Sequence, residues 1–342
     1  MASPSEKLAE SLEALKELQD RDIIAVRSAD LSRTHRERLL KNGFLQEVMK
    51  GWYVPSDPEE QRGESTGWYA SFWDFCSAYL EERFGKEWCL SPEQSLFLHA
   101  GNRTVPQQLL VRAPKGGNKP TNLPHNTSLM DVKLALPEEE HREQSDKLRI
   151  YTLPASLVFT GPGLFRHNST DARVALAMIQ DASDVLAILL DGGHSIVAGR
   201  LAGAFRNIGR DKIANEIIDT MKKAGYDVRE NDPFEGQAPF AVGTREPSPY
   251  VTRVKLMWHA MREEVISIFP EAPKKKIDID AYMKHVEEIY VTDAYHSLSI
   301  EGYRVSAELI ERVRTGAWNP DKDEKDREQI NALAARGYHT FN

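Results

Sequence analysis

Residues 31–54 read LSRTHRERLLKNGFLQEVMKGWYV, and this stretch decides the architecture. From about Ser32 to Lys41 the segment SRTHRERLLK predicts a helix. It is closed by Asn42-Gly43, since glycine accepts the left-handed backbone that ends many helices. Beyond it, FLQEVMKGWYVP holds two short extended runs joined by a tight Met-Lys-Gly turn. That pattern predicts a β-hairpin with Trp52, Tyr53 and Val54 in the returning strand. Upstream, Leu8, Leu12, Leu15 and Leu18 recur at helical spacing, so a helix opens the chain. A short element from Ile23 to Asp30, with a turn at Ser28–Asp30, separates the two helices. Helix, turn, helix, glycine, hairpin is the order of a winged helix–turn–helix, in which the second helix enters the major groove and the wing follows phosphates.

The residue types suit that reading. The candidate recognition helix carries Arg33, Thr34, His35, Arg36, Arg38 and Lys41, and Lys50 stands at the hairpin turn. Between Arg21 and Val54 there are seven Lys/Arg against four Asp/Glu. Arginine pairs guanine edges or grips phosphate through its fork, and Lys50 would reach the backbone as a point charge. The alternative is a small helical domain with a solvated basic face.

The totals frame this window. A chain of 342 residues predicts two or three domains. The net charge of −8 excludes a uniformly basic nucleic-acid coat and leaves room for a local patch. The fold class expected is α+β, mainly helical. A winged helix over 1–55 is followed by a mixed α/β region over 67–226, with QQLLVRA, LMDVKLAL and KLRIYTL as strands and a long basic loop at 113–128. A Pro- and Gly-rich linker over 227–249 leads to a helical segment over 250–342.

Cys76 and Cys89 lie among aromatics without a metal spacing, which predicts buried, reduced thiols. The N-terminus lacks a basic region before an apolar run, so it is not a signal peptide. The longest aliphatic run, Val185 to Leu190, is too short to span a bilayer. No membrane partner is expected, and the location expected is cytoplasmic.

The same stretch, LSRTHRERLLKNGFLQEVMKGWYV, resembles the winged-helix segment of AbiEi-type antitoxins of bacterial type IV toxin–antitoxin systems. The resemblance continues through CLSPEQSLFLHAG and more loosely to about Tyr226, with the basic loop at 113–128 as a departure. It implies promoter autoregulation or neutralisation of a partner protein.

Near the other end, residues 295–303 read YHSLSIEGY. Ser297 and Glu301, four apart, share one helix face. Glu301 stands at a helix C-terminus, where a carboxylate is least favoured, directly before Gly302. Ser306 beyond it is a good N-cap, with Val305 placed to staple onto Ile310. By periodicity alone this is a helical hairpin with Glu301 in water. The segment SLSIEGYRVSAELIERV, however, closely resembles the inhibitory helix of Fic-family proteins. The resemblance implies that Glu301 pairs with a catalytic-loop arginine that would otherwise hold the γ-phosphate of ATP. Ser297 would support it and Gly302 make the turn, while Tyr303 departs from the asparagine common there.

The Fic catalytic signature H-P-F-x-[DE]-G-N-G-R is absent, so no catalytic residue and no cofactor is assigned to this chain. ATP with magnesium is expected only for a catalytic half, present in cis in a longer protein or supplied in trans. His194 to Arg200, continuing to Arg210, has the wrong spacing to replace it. Gly199 and Gly203 there predict close helix packing, and Ser195 an N-cap. Gly161-Pro-Gly163 reads as a turn, and the ten histidines show no metal spacing. The expectation is therefore the regulatory part of a Fic-family protein adenylyltransferase, an AMPylating enzyme. The alternative is a stand-alone DNA-binding antitoxin that regulates its own promoter.

Overall fold

A capping box starts the first helix. Ser3 Oγ accepts the Glu6 amide at 3.2 Å, and the Glu6 carboxylate accepts the Ser3 amide at 2.6 Å. The helix, α1 (Pro4–Asp20), leads into β1 (Val26–Arg27), α2 (Arg33–Lys41), β2 (Leu45–Met49) and β3 (Trp52–Pro55). The computed structural model describes residues 3–58, 65–234, 248–271, 278–300 and 306–318. The chain divides into two compact units, Met1–Ile266 and Ser267–Asn342.

The three strands form an antiparallel sheet in the order β1-β3-β2. Leu15, Leu18, Val26, Leu39, Leu45 and Tyr53 bury together between that sheet and the two helices. Residues 21–32 are more than a turn. Val26 is fully buried and pairs with Tyr53, so the chain is drawn into the sheet before α2 begins. The turn at Ser28–Asp30 follows, closed where the Asp30 carboxylate accepts the Arg27 amide at 2.8 Å.

Next come α3 (Thr66–Phe84), β4 (Cys89–Leu90), α4 (Pro92–His99), β5 (Gln108–Ala113), β6 (Pro120–Asn122), β7 (Ser128–Lys133), β8 (Arg142–Ser145) and β9 (Leu148–Tyr151). The second sheet runs β4-β5-β7-β6, with β5 and β7 parallel, and β8 pairs antiparallel with β9. The three expected strands are β5, β7 and β9, while β4 and β6 are too short for periodicity to reveal and β8, REQS, has no apolar alternation. Part of the basic loop is the strand β6. The buried carboxylate of Asp131 folds the loop back by accepting from the Gly117 amide at 2.7 Å and Arg83 Nη2 at 2.9 Å.

Two cores meet at β4. Trp88 and Leu90 pack with α3 and with Leu109, Val111 and Ala113 of β5. Cys89 points the other way, into a helical core with Tyr151. That core is built by α5 (Leu153–Phe159), α6 (Pro162–His167), α7 (Ser169–Met178), α8 (Ser183–Asp191), α9 (Ser195–Asn207) and α10 (Asp211–Lys223).

Two expectations for α9 are corrected. Ser195 is its first residue, not its cap; His194 holds the cap position without a side-chain capping bond. Gly199 and Gly203 do allow a close approach, but of backbone, not of another helix. A Cβ at Gly199 would stand 2.0 Å from the Arg229 carbonyl oxygen, and at Gly203 2.2 Å from that of Asn231. The bare strip receives the chain after α10, where Asn231 N–H donates to the Gly199 carbonyl at 3.1 Å. Val228 and Phe234 of this segment are buried in the helical core.

The helix α11 (Pro249–Ile268) is held through buried Thr252 and Leu256, and Arg253 pairs with the buried Asp171. In the second unit, α12 (Ile279–Ile300) and α13 (Ala307–Arg314) enclose Ala294, Leu298, Ile310, Val313 and Trp318. The chain is thus mixed α and β, mainly helical. Among the described residues, no helix is long and apolar enough to cross a membrane.

Candidate nucleic-acid face and regulatory helix

The helix α2 begins where Ser32 Oγ accepts the His35 amide at 3.2 Å. Its basic residues then separate into two groups. Arg33, Thr34, Glu37 and Lys41 are exposed, whereas His35, Arg36 and Arg38 are partly buried and engaged. Arg36 Nη1 donates to the Ser28 carbonyl at 2.8 Å, and its guanidinium lies 5.7 Å from the centre of the Tyr53 ring. Arg38 Nη1 donates to Ser11 Oγ at 2.8 Å and to the Lys7 carbonyl. His35 Nδ1 lies 2.9 Å from the same Ser11 hydroxyl. These three side chains fasten α2 to α1, to the β1 turn and to the sheet.

The outward face is correspondingly small. Arg33 Nε donates to Glu37 Oε1 at 2.7 Å, a pairing that raises the Arg33 pKa and lowers that of Glu37. Both groups are solvated, so the pair adds little stability. Lys41 closes the exposed stripe one turn further on. Lys50 is exposed at the hairpin tip, which is tied to the β1 turn where the Ser28 amide donates to the Gly51 carbonyl at 2.9 Å.

A groove of about 580 Å³ runs between the start of α1 and α2, with Glu37 and Arg38 also in its lining. Ser5 and Lys7 line one wall, and Thr34, Lys41 and Asn42 the other. Lys7 and Asn42 are absent from the residues expected from sequence. No spacing in the sequence marked Lys7, because its place beside α2 is set by the packing of α1 on that helix. On the groove, α2 and the hairpin tip, the exposed cations are Lys7, Arg33, Lys41 and Lys50, with the hydroxyls of Ser5 and Thr34 exposed beside them.

In the second unit, Ser297 lies in the last turns of α12, half-buried beside Leu298, which is buried against α13. Ser306 caps α13 as expected, its hydroxyl accepting the Leu309 amide at 3.2 Å. Glu301 and Gly302 lie outside the described residues. Comparisons of the chain with protein-family models, curated proteins and solved structures gave no match in any of the three.

Proposed function

We propose that this chain is the regulatory part of a Fic-family protein adenylyltransferase. Residues 1–55 serve as a winged helix for DNA or a partner protein, and 67–226 as an AbiEi-like region. The helical segment carries Glu301 as an auto-inhibitory plug. The observation that supports the reading is the packing of α12, which ends within SLSI, against an α13 capped by Ser306.

A carboxylate delivered at the end of α12 competes with a phosphate for the same two-pronged arginine donor, so ATP is held unproductively while the helix stays in place. The test is to join this chain to, or mix it with, a polypeptide bearing the H-P-F-x-[DE]-G-N-G-R motif and to follow self-modification with labelled ATP. Glu301→Gly is expected to raise modification about tenfold or more, the scale of one lost charge-assisted pair. Unchanged modification removes the inhibitory role.

A second reading, a DNA-binding autoregulator, is favoured by the sorting of side chains on α2. His35, Arg36 and Arg38 face inward, and what faces outward is a single stripe beside a basic hairpin tip. Salt-sensitive binding to the DNA upstream of its own coding segment is expected. Lys41→Ala with Lys50→Ala should weaken it and reduce the slope against log salt by roughly two, about one per phosphate contact. Equal binding and an equal slope in the double variant eliminate this reading.

A further inference from the structure

A cavity of about 300 Å³ in the first unit collects side chains that the proposed function leaves unused. Arg112 reaches it from β5, on the strand face opposite Val111 and Ala113 and in register with Cys89 of β4. Its Nη1 donates to the Tyr151 hydroxyl, and its guanidinium lies 6.0 Å from the Tyr151 ring centre. Its Nε is buried without a hydrogen-bond partner. Among the described residues no carboxylate stands at ion-pair distance from Arg112. The Nε of Arg142, Arg200 and Arg210 is buried in the same way, and of these arginines Arg112 is the one that lines this cavity.

The surroundings are arranged around that guanidinium. Tyr151 is fixed through its backbone: its amide donates to Ser95 Oγ at 3.1 Å, and its carbonyl lies 2.8 Å from His99 Nε2. The phenol that orients Arg112 is therefore placed before any ligand arrives, which lowers the cost of binding. Phe159, at the end of α5, forms an aromatic wall, its ring centre 5.8 Å from His141, 6.0 Å from Tyr151 and 5.9 Å from His194. Phe159 lines the cavity and is 38% exposed. Leu136 and Ile188 extend the apolar lining. The two acids of the lining, Glu138 and Asp191, are exposed at the rim, where water screens them. The floor is therefore cationic and the walls apolar, the pattern of a small-molecule pocket with few placed polar groups.

We infer that this cavity binds a small organic oxyanion, a carboxylate or phosphoryl group on an apolar body, with Arg112 as its counter-ion and Phe159 as the wall for the body. The ligand oxygens would accept from the guanidinium N–H groups that the Tyr151 hydroxyl does not use.

The test uses the full chain, isothermal calorimetry and the arginine ¹H–¹⁵Nε spectrum, with benzoate, phenyl phosphate and the neutral isostere benzamide as probes. One anion or both should bind saturably and shift one arginine Nε resonance, while benzamide does neither; the two anions distinguish a carboxylate from a phosphoryl preference. Arg112→Met should weaken binding about tenfold or more. Phe159→Ala, at a half-open position, should also weaken it and stands in where Arg112→Met fails to fold. The proposal is overturned by the absence of saturation with both anions, by benzamide binding as well as benzoate, or by unchanged affinity in the folded variants.

Discussion

Ser11 and His35 meet across the junction of α1 and α2, with the buried hydroxyl 2.9 Å from Nδ1. The Ser11 hydroxyl also donates to the Lys7 carbonyl at 3.0 Å and accepts from Arg38 at 2.8 Å. Its single proton is used on Lys7, so His35 is the donor, from Nδ1. Ser11→Ala leaves His35 Nδ1–H without this acceptor and Arg38 Nη1 with the Lys7 carbonyl alone, in a partly buried place. It should cost about 1–3 kcal/mol in urea unfolding, whereas Lys41→Ala should stay within about 0.5 kcal/mol. Equal stability of the two variants defeats the assignment of Ser11 as the junction's hub.

Gly203→Ala places a methyl group 2.2 Å from the Asn231 carbonyl oxygen, which is backbone and has little room to yield. Alanine favours a helix over glycine by about 1 kcal/mol. Overpacking of this kind costs about 1–3 kcal/mol. Net destabilisation is expected, with loss of hydrogen-exchange protection at the Asn231 amide, which is bonded to Gly199. A stabilised variant with intact protection contradicts the close approach.

Burial pushes both thiols upward. Cys76 is raised by desolvation alone, and Cys89 is pushed up to about 12 despite the opposing pull of Arg142, Arg112 and Arg149. The reactive thiolate is thus scarce around neutral pH. Ellman's reagent should report no rapid thiol in the native chain and two after denaturation, the number of cysteines present. A fast native reaction at mildly alkaline pH is the contrary result.

Arg253 is the cation that pairs the buried Asp171, which Asn102 Nδ2 also meets at 3.2 Å. Arg253→Met leaves a carboxylate with one neutral partner. The expected loss is about 3 kcal/mol. Asp171→Asn in the same chain should recover part of it, since the amide carries no charge to strand. Full stability of the single variant by thermal unfolding shows that α11 is held by its apolar contacts alone.

The long periodic elements were legible in the sequence: Leu15 and Leu18 on α1, the run closed by Asn42-Gly43, and the alternation in QLLVRA each specify a local structure and a buried face. The short strands were not, because the two residues of β1 or β4 contain no period; their place is set by partners distant in sequence, as Val26 by Tyr53. The sorting of α2's cations was hidden for the same reason. Arg36 and Arg38 look like Arg33 in composition, and only the position of Ser28, Ser11 and the Lys7 carbonyl turns them inward. Arg112 was unmarked because its partner, Tyr151, is 39 residues away in the chain.

The β4-β5-β7-β6 sheet has a consequence for how this unit fails. Cys89 and Leu90, adjacent in one strand, belong to opposite cores. Neither core can melt without uncovering one of these two neighbours, so heat or denaturant should open both together in one transition. Evolution and protein engineering meet the same constraint: the halves on either side of β4 cannot be exchanged as cassettes, because every graft would carry one face of β4 into a foreign interior.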